Sequence, residues 1–446
     1  MDLKKLSLAV ICISVVMNPG LPAHAANWLL LQGTEPTSAA GRAHVWGFIQ
    51  PTAQYIKGTT IPAGDYVGQR YQANILGPDG KSTWDMNIRR ARIGVRGQGF
   101  PLDGKTNYFI LAEFGHNALT VPGDGGGSAY LTDASITLNQ IPGARFRVGQ
   151  FKTPGAEEGL QAIHVFDYIN FSSVTDGLLF ETFVNGTGTT AHTTKESVNK
   201  PVAGRGAFRD IGAQLFDMFV FGKWQASYAL MIGNGNGINR QDNNNQKEYY
   251  AYFSAEQVFA GEGPRMQSWK MFAWTQMGKR TLDNQLYDRT RSGLGSTFRK
   301  GKLSAAAEFI TGTGVILNGT DDGAVVGATK NAGAEFAGIN VEANGTAWGF
   351  YTHIGYNVTK HIEFDFRWDQ YNRSTHTPSK ERVFSNATLG LQYFINKKTR
   401  IVANYTHRMM SVPNPDSISD PAKRDLAVQL AEAVDPILGL QMLAIF

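Results

Sequence analysis

From Ala43 onward, apolar and polar residues alternate in stretches of about ten residues bounded by Gly, Asn, Asp or Pro, and a period of two predicts β-strands. The clearest stretch runs from His361 to Asp369. Ile362, Phe364, Phe366 and Trp368 share one face, and His361, Glu363, Asp365, Arg367 and Asp369 share the other. Similar alternation marks Trp224 to Ile232, Trp348 to Tyr356, Ala387 to Tyr393 and Tyr130 to Leu138. A strand in a water-soluble sandwich alternates over about five or six residues. Longer runs with aromatics near their ends are what a sheet facing lipid requires.

Sixteen strands are predicted, near 44–56, 84–97, 106–115, 129–139, 144–152, 208–220, 223–233, 247–258, 267–278, 288–299, 302–311, 346–356, 361–371, 383–394, 399–408 and 437–446. The gaps between them alternate in length. Long polar segments near 57–83, 153–207, 312–345 and 409–436 contrast with tight ones such as Ile141-Pro142-Gly143, Phe221-Gly222, Lys300-Gly301 and Asn396-Lys397-Lys398. An all-β fold follows: a transmembrane antiparallel β-barrel of about 16 strands, with long external loops and short periplasmic turns. The last predicted strand ends on Phe446, a terminal aromatic where a closing strand meets the interface. Two helical stretches are expected within the loops. One is short, Glu157 to Phe166. The other has Asp420 as N-cap, Pro421 at its first position and an apolar stripe at Leu426, Leu430, Ala433 and Val434 before Pro436 stops it.

Residues 1–25 read differently. Lys4-Lys5, an apolar stretch from Leu6 to Met17, Asn18-Pro19-Gly20 and the ending Ala23-His24-Ala25 predict a secretory signal peptide cleaved after Ala25. That leaves 26–446 as a single barrel domain, exported to the outer membrane of a Gram-negative bacterium. No later stretch approaches the ~18 consecutive apolar residues of a membrane helix. The single cysteine, Cys12, lies in the predicted leader, which removes thiol and disulfide chemistry from the mature chain. The formal net charge of +5 is spread without a basic run, so no nucleic-acid partner is expected. Histidines 44, 116, 164, 192, 353, 361, 376 and 407 show no metal-ligand spacing, and no Gly-x-Ser-x-Gly nucleophile motif occurs, so neither a metal, a cofactor nor catalysis is expected. The glycine-rich runs Gly123–Gly127 and Gly233–Gly237 lack the Lys-Ser/Thr of a phosphate loop and read as external loops.

Several segments resemble the phosphate-selective porin O and P family. The run Asp133 to Pro154, containing Arg145-Phe-Arg-Val-Gly-Gln-Phe-Lys152 and followed by Glu157-Glu158, is similar to that family's strand-turn-strand signature. Arg89-Arg90-Ala91-Arg92-Ile93-Gly94-Val95, Arg209 to Leu215 and Tyr228-Ala229-Leu230 leading to Asn234–Gly237 add to it, and the likeness spans about Ala43 to Phe446. The resemblance implies a homotrimeric porin: a passive channel for small anionic or neutral hydrophilic solutes, with phosphate or polyphosphate among them, narrowed by inward loops. Its arginine ladder after the third loop is not matched here, because Gly212 to Gly222 contains no arginine.

The period of two names candidate lining residues. If Ile93 and Val95 face lipid, Arg90, Arg92 and Arg96 face the lumen, and if Phe146 and Val148 face lipid, so do Arg145 and Arg147, with Lys152 at the start of the third loop. Such a basic wall lowers the entry barrier for anions. Glu363, Asp365 and Asp369 form an opposing acidic wall, which leaves a cation preference open, as does pairing of the arginines with Glu113, Asp133 or Asp210. The rival readings are a surface receptor or adhesin barrel plugged by its loops and, more distantly, an outer-membrane barrel enzyme.

Overall fold

The computed structural model describes residues 27–30, 43–56, 84–98, 104–117, 129–180, 184–185, 200–201, 208–261, 263, 265–282, 285–319 and 340–446. The predicted leader at 1–25 and the predicted loop at 57–83 lie outside the described residues. Sixteen strands close into one antiparallel barrel in which each strand pairs with its neighbours in sequence. They are β1 (His44–Ile56), β2 (Trp84–Gln98), β3 (Thr106–Glu113), β4 (Tyr130–Leu138), β5 (Arg145–Lys152), β6 (Arg209–Phe221), β7 (Trp224–Gly233) and β8 (Glu248–Ala260). There follow β9 (Gln267–Leu282), β10 (Gln285–Lys300), β11 (Leu303–Gly319), β12 (Asn340–Asn357), β13 (Ile362–Arg373), β14 (Arg382–Phe394), β15 (Thr399–Ser411) and β16 (Ile437–Ile445).

Closure is by β16 on β1, with Phe48 opposite Ile445 and Tyr55 opposite Leu438. Gly47 and Phe446 exchange backbone hydrogen bonds at 3.2 and 3.0 Å. A Cβ on Gly47 would lie 2.5 Å from the Phe446 ring, so only glycine lets the terminal aromatic lie across β1.

The alternation seen in the sequence is inverted relative to a water-soluble sheet. Along β13, Glu363 and Asp369 are fully buried while Phe364 is 53% exposed, and Phe366 is exposed beside buried Arg367. Leu389, Leu391, Leu438 and Leu440 likewise point outward. Apolar side chains outside and charged ones inside make sense only where the outer solvent is hydrocarbon, the arrangement of a transmembrane barrel. No described helix is long and apolar enough to cross a membrane.

Two departures from the expected elements have physical causes. The hairpins β9–β10 and β11–β12 extend well past 278, 288, 311 and 346, with Leu282 paired to Gln285 and Gly319 to Asn340. Their strands have sixteen to eighteen residues, against eight or nine in β3 to β5, so that part of the barrel stands taller than a hydrocarbon core requires. The extensions lack regular apolar alternation, as in Lys279-Arg280-Thr281-Leu282 and the unbroken apolar run Val315-Ile316-Leu317, which is why they read as loop. In the other departure, the helix expected over Glu157–Phe166 is a single turn, α1 (Glu157–Leu160). The later helix forms with its expected start, α2 (Pro421–Glu432), with Asp420 accepting from the backbone N–H of Ala422 and Lys423 and with Leu426 and Leu430 buried, but it ends two residues short of Val434, with Ala433 as its C-cap.

Candidate functional site

The lumen is crossed by the segment between β5 and β6. Pro154 and Gly155 end β5, and the chain turns inward through α1. Lys152 stays on the strand and donates from Nζ to the carbonyl oxygens of Gly159 (2.9 Å), Leu160 (3.4 Å) and Gln161 (2.6 Å), satisfying acceptors that a one-turn helix leaves open. Glu157 accepts from Lys270 on β9 at 2.7 Å and from the indole N–H of Trp28 at 3.0 Å. The segment around Trp28 therefore also enters the barrel, where Arg147 donates to the carbonyl of Leu29.

The far end of the segment is clamped to β13 and β15. Arg367 donates to Glu158 (3.2 Å) and to the carbonyls of Asn170 and Phe171 (both 3.0 Å), and its guanidinium lies 4.5 Å from the Tyr168 ring. Asp369 accepts from the backbone N–H of Ser173 (2.7 Å), Asn404 Oδ1 from that of Ile169 (2.7 Å), and Arg400 donates to the carbonyl of Phe166 (2.6 Å). Burial pushes the Glu158 carboxyl up from its ordinary range, against the pull of Arg367 and Ser172. His164, held near the rings of Trp46 and Phe48, is brought down to about 3 by burial and then by Arg400 and Lys152.

All six basic candidates lie on inward-facing positions, but their surroundings differ. Arg90 is buried, donates to Gln50 Oε1 at 3.1 Å and has no carboxylate partner among the described residues. Arg92 pairs with Glu113 at 2.7 Å, and Arg145 with Asp217 at 3.2 Å. Arg147 is fully buried against the rings of Phe216 and Phe151, at 4.4 and 5.4 Å. Arg96 lies 5.5 Å from the Trp46 ring. Lys152, as above, is occupied with holding the loop. Pairing with Glu113, one of the alternatives left open by the sequence, thus holds for Arg92, whereas Asp133 takes Arg209 at 2.9 Å instead.

The acidic candidates gather on the opposite wall. Glu363 pairs with Arg265 at 2.6 Å, Asp365 accepts from Gln392 at 2.8 Å, and Asp369 from Asn386 at 2.9 Å and Arg367 at 3.2 Å. Overall, twelve buried arginines and Lys270 face thirteen buried carboxylates among the described residues. The buried charges therefore balance, while the half-buried Arg96, Arg145, Lys152, Arg265 and Arg299, set against Asp167, tilt the interior toward positive charge.

Sequence reasoning missed Arg89. Pro51 cannot donate to the ladder, and the register slips between Gln50 and Pro51 so that Arg89 is left over opposite them. Through this bulge both Arg89 and Arg90 turn inward, and Arg89 reaches Gln54 at 3.1 Å and Asn170 of the inward segment at 2.9 Å. Pro51 within an alternating strand was the available signal. Arg367 sits on the polar face already evident in the His361 stretch, and Arg400 alternates with Ile401 in β15.

Between the inward segment and the wall formed by β8 to β13 remains a cavity of about 120 Å³, lined by Glu157, Asp167, Lys270, Arg299 and His353 among others. It has room for several water molecules.

No protein family matches the sequence, and no curated protein does. Solved structures with the same fold do exist. The chain is similar to an anion-selective porin from Comamonas acidovorans, at 12% identity over 91% of this chain and 99% of that one, with a TM-score of 0.52. The outer membrane channel DcaP of Acinetobacter baumannii gives 13% identity, coverage of 91% and 97%, and a TM-score of 0.51. Salmonella typhi OmpF, in complex with daunomycin, gives 12%, 91% and 97%, and 0.50. At these identities the likeness establishes the sixteen-stranded barrel fold.

Proposed function

We propose that the protein is an outer-membrane porin, exported with cleavage of residues 1–25, through which small hydrophilic solutes diffuse with a modest preference for anions. The observation that carries the preference is the cluster Arg89, Arg90, Arg92 and Arg209 on β2 and β6, opposed by Glu113 and Asp133. Arg90, buried in the wall, donates to Gln50 and has no carboxylate partner among the described residues, so four arginines face two carboxylates there and the wall as a whole would attract anions. The anion-selective porin among the similar structures is compatible with this reading. Phosphate is the solute to try first, because the resemblance of Arg145 to Lys152 points to it. A homotrimer is the assembly the same resemblance implies, and migration of the unheated protein at about one chain's mass would count against it.

A planar bilayer with a salt gradient tests the preference. The zero-current potential should have the anion sign, move toward zero in Arg89→Gln/Arg90→Gln, and currents should fall on adding phosphate. A potential of the cation sign would shift the working wall to Glu363, Asp365 and Asp369.

A second reading has its own support. Trp28, Leu160, Leu178 and Leu179 from the inward segments pack with Phe216, Tyr252, Phe272 and Trp274 of the wall into one apolar cluster. Apolar packing inside a barrel favours a loop-plugged receptor or adhesin, which would pass no current.

A further inference from the structure

Beside the cavity, Asp167 of the inward segment, His353 of β12 and Asp365 of β13 each turn one ligand-capable atom toward the other two, all within 4.8 Å. We propose that these three side chains form a binding site for a divalent transition-metal ion of the zinc type, tying the inward segment to the barrel wall.

The hydrogen bonds around the cluster leave one donor atom free on each ligand. Gln392 Nε2 donates to Asp167 Oδ1 at 3.1 Å and to Asp365 Oδ2 at 2.8 Å, and Arg265 lies 3.3 Å from the same Asp167 Oδ1. Asp167 Oδ2 instead faces His353 Nε2 at 3.8 Å. Asp365 Oδ1 and His353 Nε2 are both buried and accept or donate no hydrogen bond. Unpartnered buried polar atoms are costly and call for a ligand.

The imidazole is oriented for coordination. His353 Nδ1 is 2.7 Å from Tyr168 OH. With the proton on Nδ1, that bond is made by donation to the phenol oxygen, and the Nε2 lone pair points at the two carboxylates. With the proton on Nε2, the acceptors it faces, Asp167 Oδ2 at 3.8 Å and Asp365 Oδ1, are both beyond hydrogen-bond range. A histidine whose second nitrogen is fixed by an outer partner, between carboxylates whose other oxygens are also held, has the arrangement of a metal ligand with its supporting shell.

Distances and charge fit a first-row ion with mixed N/O ligands. Bonds of about 2.0–2.2 Å at tetrahedral angles place ligand atoms roughly 3.4 Å apart, so the 3.8 Å pair closes slightly on binding and the other two pairs, within 4.8 Å, draw in by at most about 1.4 Å. The fourth position faces the cavity, which supplies both water and an entry path. Arg265, Arg299 and Arg400 stand nearby, but Arg265 is shared between Glu363 and Asp167 Oδ1, Arg299 is directed at Glu363 and Arg400 at Asp167 Oδ1, none of them at the oxygens offered to the metal. Their positive charge limits affinity and favours an ion that bonds imidazole covalently over Ca²⁺ or Mg²⁺.

Isothermal titration of Zn²⁺ into the refolded full-length protein in detergent tests the site without reference to conductance. One Zn²⁺ per chain is expected. His353→Gln and Asp365→Asn should abolish it, Gln392→Leu should weaken it by about 10–100-fold, and His361→Gln, in a turn outside the cluster, should leave it intact. Replacing Zn²⁺ by Co²⁺ should give the intense visible absorption of a four-coordinate site in the parent protein alone. Absence of stoichiometric binding, or binding that persists unchanged in His353→Gln, would overturn the proposal. His353→Gln suffices if Asp365→Asn fails to fold, because its ring makes a single side-chain hydrogen bond. Metal binding to a protein that passes no current would keep the site and reject the porin reading, and the reverse would do the opposite.

Discussion

Replacing Arg367 by methionine should release the inward segment while leaving the barrel closed. The side chain is buried and ties Glu158, Asp369 and the carbonyls of Asn170 and Phe171 together, with Tyr168 stacked above it. Methionine keeps most of the stem volume and removes the charge. Leaving a buried carboxylate without its cation costs about 3–5 kcal/mol. Glu158 would keep its bonds from Ser172 N (3.1 Å) and Oγ (2.6 Å), and Asp369 those from Ser173 and Asn386, so the lower end applies. About 3 kcal/mol is roughly a hundredfold rise in the undocked population. Chymotrypsin reads that population directly. The segment from Thr153 to Phe180 contains no Lys or Arg but offers Phe166, Tyr168 and Phe171, all buried when docked. Cleavage there should accelerate about a hundredfold while unheated electrophoretic mobility stays that of the folded barrel. Adding Glu158→Gln should recover part of the loss, since no orphaned charge then remains at that position. Cleavage within twofold of the parent rate would refute the clamp.

Three further outcomes are expected. Because the docked segment holds His164 at about 3 against about 6.5 when solvated, docking is undiminished above pH 6.5 and weakens as pH falls from there toward 3; Trp28 fluorescence should report the release, and an unchanged signal down to pH 4 would argue against it. Gly149 has φ +125° and a Cβ there would lie 2.1 Å from the Ala134 carbonyl oxygen, so Gly149→Ala should destabilise β4–β5 by at least about 1–3 kcal/mol, visible as a lower temperature of heat modification. Asp420→Ala should cost α2 about 1 kcal/mol through its lost cap, measured by faster amide exchange in 421–432, with channel behaviour unaltered.

The barrel was legible because one physical constraint acts on every strand: alternate residues meet lipid, so Phe364, Phe366, Leu389 and Leu391 had to alternate with polar partners. Turn chemistry then set the hairpins, as at Asn396-Lys397-Lys398. The inward candidates Arg90, Arg92, Arg145, Arg147, Glu363, Asp365 and Asp369 followed from the same period. What stayed hidden depends on contacts between distant segments. Arg89 turns inward only because of a bulge opposite Pro51, and Lys152 holds α1 carbonyls that sequence alone cannot place beside it. The Asp167, His353 and Asp365 cluster joins one loop and two strands, so no local spacing announces it. Nor does alternation reveal that Trp28 packs beside Glu157.

Single-channel recording of the refolded full-length chain, beside Arg367→Met, asks most directly whether the segment from Thr153 to Phe180 narrows the lumen or seals it. Discrete, steady steps from the parent protein, enlarged or made noisy in Arg367→Met, are the expected result. Silence from the parent, with steps appearing only when the clamp is broken, would contradict the porin reading and leave a plugged barrel.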